Sequence, residues 1–182
     1  YTDNFDGAEA VLKRWQTTQI APLLASMKTE LYDRMEDWIR GSKEFRKLLD
    51  SEPDNHAYLN AFAWYLGLAD SNLTEAFEAI NRAIDLVGGC HATYSNTRGL
   101  IYLKMGSVAL AEKDFTESLE YQGVEARATN YFFLGECCLA KNELGLAKQY
   151  YSKAASAARA SWIVRQASAR LNEIEGQAVG SD

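Results

Sequence analysis

The sequence has few residues that interrupt helices. Only two of its 182 residues are proline, Pro22 and Pro53. Proline removes a backbone donor and clashes with the preceding turn of a helix, so this scarcity favours a helical chain. Hydrophobic residues make up 47% of the sequence, which is enough for one domain with a sizeable core. We therefore expect a single, mainly α-helical domain.

Features that would indicate a membrane, a nucleic acid or a secretory route are also missing. No run of about 18 apolar residues occurs, so we expect no membrane insertion. The net charge is −6, whereas a nucleic-acid binder usually has a basic surplus to neutralise phosphates, so no nucleic-acid partner is expected. No secretory signal is visible. The absence of an initiator Met favours a piece of a longer protein over a processed chain.

The cysteines and histidines do not form a recognisable site. Cys90, Cys137 and Cys138 are odd in number and two are adjacent, which is a poor disulfide framework and favours a reducing, cytoplasmic compartment. We expect Cys138 in the core and Cys137 partly exposed. No Cys-x-x-Cys or His-x3–5-His spacing accompanies His56 and His91, so no metal is expected. No glycine-rich phosphate loop or nucleophile motif occurs, which predicts no cofactor and no enzyme activity.

An internal repeat runs through the chain. In three segments a small residue is followed 12 or 13 positions later by another, then by a large apolar residue and a further small one. These positions hold Ala63, Ala76, Ile80 and Ala83; then Gly99, Ala111, Phe115 and Ser118; then Gly135, Ala147, Tyr151 and Ala154. Backbones approach closely only where side chains are small, and the voids must be filled. The pattern resembles the tetratricopeptide repeat, in which each unit is a pair of antiparallel helices, A and B.

The resemblance covers residues 22–161 and implies four units. Their phases are 22–55, 56–91, 92–127 and 128–161, with lengths that bracket the family period of about 34 residues. The first unit is degenerate, because Thr29 and Gly41 stand at its small-residue positions. Gly106 lies in the A–B turn of the third unit, where the family often has glycine.

The segments outside the repeats are predicted to cover the ends of the array. Residues 1–21 form a lead-in with a capping helix over 8–16, and residues 162–175 form a C-terminal capping helix. Residues 176–182 are predicted to be a disordered tail. The expected fold is an all-α, right-handed superhelical solenoid.

The resemblance also implies a binding surface, because the A helices of such arrays line a concave face. The peptide-binding candidates on this face are Asn60, Trp64, Asn96, Leu100, Lys104, Phe132 and Glu136. Asn60 and Asn96 lie one repeat apart, and their amides could grip the backbone of an extended peptide. Trp64 and Phe132 are candidate apolar anchors. An alternative for Trp64 is packing against the neighbouring helix, and only one of Phe132 and Phe133 is expected to face the groove.

The predicted function is therefore a protein–protein interaction module that binds a protein or peptide segment as an adaptor or scaffold. A clamp for chaperone C-terminal tails is not expected, because its matching positions contain no cation. Those positions are Asn60, Trp64, Thr97, Thr129 and Phe133. Two alternatives remain open. The chain could be a regulatory or sensory domain of a larger multidomain enzyme, or a self-association module in which Trp162 and Ile163 pack on another copy.

Overall fold

The structure is a computed structural model that describes residues 21–89, 92–121, 127–157 and 161–179. These residues form nine α-helices and no strand, which confirms the all-α prediction for this part of the chain. The helices are α1 (Ala21–Met35), α2 (Trp38–Ser51), α3 (His56–Leu68), α4 (Leu73–Leu86), α5 (Ala92–Lys104), α6 (Val108–Tyr121), α7 (Arg127–Ala140), α8 (Leu144–Ala155) and α9 (Trp162–Val179).

Two sequence predictions concern the ends of the chain. The capping helix predicted over residues 8–16 lies outside the described residues. Helix α9 continues to Val179, so the disordered tail predicted from residue 176 is wrong for residues 176–179.

Consecutive helices pack as the pairs α1–α2, α3–α4, α5–α6 and α7–α8, and α9 packs on α8 and α7. Helix α3 also contacts α5, and α5 contacts α7. The first helices of the last three pairs therefore lie side by side and form one face of the array. The last three pairs begin at His56, Ala92 and Arg127. Asn55 fixes the first of these starts, because its side-chain oxygen accepts hydrogen bonds from the N–H groups of Ala57 and Tyr58.

Each turn within a pair contains at least one residue in the left-handed backbone conformation. These residues are Glu36 (φ 52°), Asp70 (φ 49°), Asn72 (φ 47°), Gly106 (φ 79°) and Asn142 (φ 61°). In the third turn the Ser107 N–H donates to the carbonyl oxygen of Tyr102 at 2.8 Å, which satisfies the end of α5. Only Gly106 was identified from the sequence, because glycine is the usual residue in this conformation and the other turns use larger residues.

Small residues let the paired helices approach, as the repeat pattern predicted. A Cβ at Gly99 would lie 2.9 Å from the Phe115 ring, and one at Gly135 would lie 2.6 Å from the Tyr151 ring. The buried side chains form two clusters. One lies in the first two pairs and includes Tyr94 and Ile101 of α5, and the other lies in the last two pairs with α9. Trp64 packs against both clusters and joins them.

Candidate functional site

The face formed by the first helices of the pairs contains a cavity of about 690 Å³. This volume lies within the range of about 300–1,000 Å³ that is usual for ligand sites. Its apolar lining includes Trp38, Leu68, Leu103, Phe132, Phe133, Leu139 and Trp162. Its polar lining consists of Glu36, Asp70, Lys104, Glu136, Gln166 and Arg170. A mixed surface of this kind can hold an apolar side chain and hydrogen-bond the backbone that carries it.

Aromatic side chains link the helices around this cavity. The ring centroids are 5.1 Å apart for Trp38–Trp162, 6.4 Å for Trp162–Phe132, 5.2 Å for Phe132–Phe133, 5.9 Å for Phe133–Trp64 and 6.3 Å for Trp38–Tyr65. Each spacing is typical of a favourable aromatic pair. Because Tyr65 follows Trp64 on α3, the six residues form one connected aromatic cluster. This cluster connects α2, α3, α7 and α9, so four helices hold the shape of the cavity.

The charged groups of the lining are largely paired with one another. Glu136 accepts hydrogen bonds from the Arg170 guanidinium, at 2.9 Å to Oε1 and 3.2 Å to Oε2, and from the Tyr151 hydroxyl at 2.7 Å. Burial and the nearby Glu136 carboxylate both raise the pKa of Tyr151, so its hydroxyl stays protonated and donates. Lys104 is held more loosely, because its Nζ lies 3.7 Å from the Asp70 carboxylate. Lys104 is therefore the cation of the lining that can most readily turn to a ligand.

Three of the seven candidate residues, Lys104, Phe132 and Glu136, line the cavity. Leu100 does not lie on an accessible surface, since it is completely buried. Its cover is the backbone of α3, because a Cβ at Gly67 would lie only 3.0 Å from the Leu100 side chain. The burial of Leu100 therefore contradicts its prediction as a groove residue.

Asn96 also fails to reach the surface, and it belongs instead to a buried hydrogen-bond network. Its amide donates to the side-chain oxygen of Asn130, whose amide donates to Ser118 Oγ at 3.1 Å. Ser118 Oγ in turn donates to the carbonyl oxygen of Ala92 at 2.6 Å. The network ties α5, α6 and α7 together, so the Asn96 side chain joins helices and is buried away from the groove. Asn60 and Asn96 are each the fifth residue of their unit, whereas Asn130 is the third residue of the next one, so the repeat phase gave no signal for this network.

The remaining predictions concern single side chains. Asn60 is half-buried, and its side-chain oxygen has no hydrogen-bond partner among the described residues. Trp64 is half-buried against both core clusters, which favours the packing alternative for this residue. Both Phe132 and Phe133 line the cavity, so the expectation that only one would face it was wrong. Cys137 is as fully buried as Cys138, contrary to the prediction, and burial raises the pKa of its thiol to about 12.

Trp38 and Trp162 were missed as cavity residues. Trp38 belongs to α2, the second helix of its pair, and Trp162 begins the terminal helix. Neither occupies a phase at which the repeat pattern places a concave surface. No local sequence signal brings them together, since they are 124 positions apart.

No group of three or more metal-ligating side chains occurs within the described residues. None of the helices that the structure describes is both long enough and apolar enough to span a membrane.

Comparisons with known proteins support the repeat assignment. The family model described as tetratricopeptide repeat matches residues 128–161, the segment that contains α7 and α8. A crystal structure of PilW, titled a widely conserved type IV pilus biogenesis factor, is similar in fold with a TM-score of 0.65 and 19% sequence identity. The match covers 98% of this chain and 86% of that one. No curated protein sequence gave a significant match. The chain therefore contains a tetratricopeptide repeat and has a tetratricopeptide-like, all-α helical repeat fold.

Proposed function

We propose that the chain is a protein-interaction module that receives a segment of a partner protein in the cavity of its concave face. The observation that carries this proposal is the aromatic-lined cavity of about 690 Å³ among the first helices of the pairs. Helical repeat arrays commonly use this face for binding, which agrees with the family match. The role that fits is that of an adaptor or scaffold, with binding and no reaction of its own.

The lining indicates how the segment would be held. Trp162 and Phe132 offer large apolar surfaces, which carry a disproportionate share of binding energy in protein interfaces. Lys104 can donate hydrogen bonds to a backbone carbonyl of the segment. Glu136 and Arg170 already satisfy each other, so they would position the wall and add little direct affinity. The expected ligand is a short segment with an apolar side chain as its anchor.

A peptide selection tests this proposal without a known partner. The chain is used as bait for a displayed random-peptide library, and the selected peptides are synthesised with a fluorophore and titrated by anisotropy. Gln166→Trp places a ring in the cavity from an exposed position, so the fold should tolerate it. It should weaken binding at least tenfold, which corresponds to about 1.4 kcal/mol.

The matched control is Ser168→Trp, an equally exposed position on α9 that does not line the cavity. It should leave the dissociation constant unchanged. A second pair compares Lys104→Ala with Lys113→Ala, because each lysine lies 3.7 Å from one carboxylate but only Lys104 lines the cavity. Peptides that bind equally well to both tryptophan variants would place the interaction on another surface and refute the proposal.

The proposal retains the cytoplasmic compartment expected from the sequence. Cys137 and Cys138 are free thiols in the core, which suits a reducing environment. Fractionation of the source cells with an antibody against the chain would test this part, and recovery from an oxidising compartment would contradict it.

A further inference from the structure

We propose that a clasp between the two ends of the helical array controls entry to the cavity. The clasp consists of Glu36 and Trp38 from the first pair, and Trp162 and Arg165 from α9. It deepens the function proposed above, because it adds a closed and an open state to the same site.

The clasp joins residues that are far apart in the chain. The ring centroids of Trp38 and Trp162 are 5.1 Å apart, and a Glu36 carboxylate oxygen lies 2.6 Å from an Arg165 guanidinium nitrogen. The partners are separated by 124 and 129 positions, so the contacts bring the first pair against the terminal helix. Glu36, Trp38 and Trp162 also line the cavity. The clasp therefore forms part of the cavity wall as well as a bridge between its two sides.

A second cavity beside Trp38 gives the clasp room to open. It has a volume of about 500 Å³ and is lined by Met35, Ile39 and Ala69. Its lining also shares Glu36, Trp38 and Leu68 with the main cavity, so Trp38 stands between the two spaces. A rotation of the Trp38 ring toward the second cavity would separate it from Trp162 and widen the mouth of the first.

The ion pair of the clasp can break and re-form at little cost in free energy. The side chains of Arg165 and Glu36 are 57% and 35% exposed, and ion pairs at such exposure are weak and screened by salt. Trp162 retains a contact with Phe132, at 6.4 Å between centroids, when its contact with Trp38 is lost. An entering apolar side chain could then take the place of the Trp38 ring against Trp162. Only open molecules would bind the segment, so the apparent affinity would equal the intrinsic affinity multiplied by the fraction of molecules that are open.

Fluorine NMR of the whole chain labelled with 5-fluorotryptophan tests the clasp without any peptide. Trp38→Phe, Trp64→Phe and Trp162→Phe assign the three resonances that the test uses, among the four tryptophans of the chain. Arg165→Glu reverses one charge of the clasp and should shift both resonances together, while the Trp64 resonance stays in place. The double variant Glu36→Arg/Arg165→Glu restores the opposite charges and should return both resonances to their original positions.

Arg34→Glu is the matched control, because Arg34 forms a 2.7 Å ion pair with Glu30 within α1 and does not bridge the two ends. It should leave the Trp38 and Trp162 resonances unmoved. If Arg165→Glu also leaves them unmoved, the ion pair does not hold the ends together and the proposal is overturned.

Access to the cavity is measured in the same samples with the neutral nitroxide TEMPOL. Relaxation of the Trp162 fluorine by the nitroxide should rise at least twofold in Arg165→Glu and return to the wild-type value in the charge-swapped variant. A joint shift without a rise in relaxation would show that the ends separate without admitting a probe, which refutes control of entry. These results do not depend on peptide selection, so failure to select any peptide would refute the proposed function alone.

Discussion

Gly135→Ala is expected to destabilise the fold, although the same substitution usually stabilises a helix. A methyl group at position 135 would lie 2.6 Å from the Tyr151 ring, whereas ordinary contacts begin at 3.4 Å. The ring cannot easily retreat, because it is completely buried and its hydroxyl donates to Glu136, which Arg170 holds in place. Overpacking of a core costs roughly 1–3 kcal/mol, and the gain in helix propensity recovers about 0.5–1 kcal/mol of it. We therefore expect a net loss of up to about 2.5 kcal/mol.

Gly176→Ala provides the matched control for this prediction. Gly176 lies within α9, and a Cβ there would meet nothing within 4 Å. Because only the propensity term remains, this variant should gain about 0.5–1 kcal/mol. Urea denaturation followed by circular dichroism measures both free energies of unfolding. If Gly135→Ala stabilises the chain as much as Gly176→Ala does, the close approach of α7 and α8 is not present.

Two further predictions concern ionisable groups that are half-buried or buried. Burial raises the pKa of Asp33 from 3.8 to about 6, so the folded state binds this proton more tightly and loses stability as the pH rises from about 4 to 6. Asp33→Asn should therefore be more stable than wild type at pH 8, by at most about 3 kcal/mol, and no different near pH 4. Urea denaturation at both pH values measures the difference, and a difference that does not change with pH would contradict this prediction. Lys28→Met removes the buried partner of Glu44 and should cost about 3 kcal/mol, less if Lys47 compensates, with partial recovery in Lys28→Met/Glu44→Gln. If the single and double variants are equally stable in thermal unfolding, the loss of Lys28 does not leave the buried Glu44 carboxylate unpaired.

The repeat pattern predicted much of the fold because it reports local packing. A glycine at 99 or 135 and a ring 16 positions later are a complementary pair, and the structure places each ring against its glycine. The glycine and the ring lie on neighbouring helices that are joined by a short turn, so their spacing along the chain predicts the contact. The same reasoning did not identify Glu36 as a left-handed turn residue, because the side chain type gives no sign of that conformation.

The candidate site was predicted less well, because the phase of a residue along its helix does not show whether a neighbouring helix covers that residue. Leu100 and Asn96 lie on the first helix of a pair, as expected, but neighbouring helices bury them. Lys104 lies a turn further along the same helix and remains exposed at the cavity. Which part of the face stays open depends on how closely adjacent helices approach, and at Leu100 that approach is set by Gly67 on another helix.

The sequence by itself determined the helical class, the order of small and large residues and the resemblance that the family match at residues 128–161 supports. Only the tertiary structure decided that Trp38 meets Trp162 and that a cavity lies beside them. The first kind of information is local, because each pair of helices is built from contacts within about 40 residues of chain. The second depends on small rotations between successive pairs, which accumulate over the whole array before its two ends can touch.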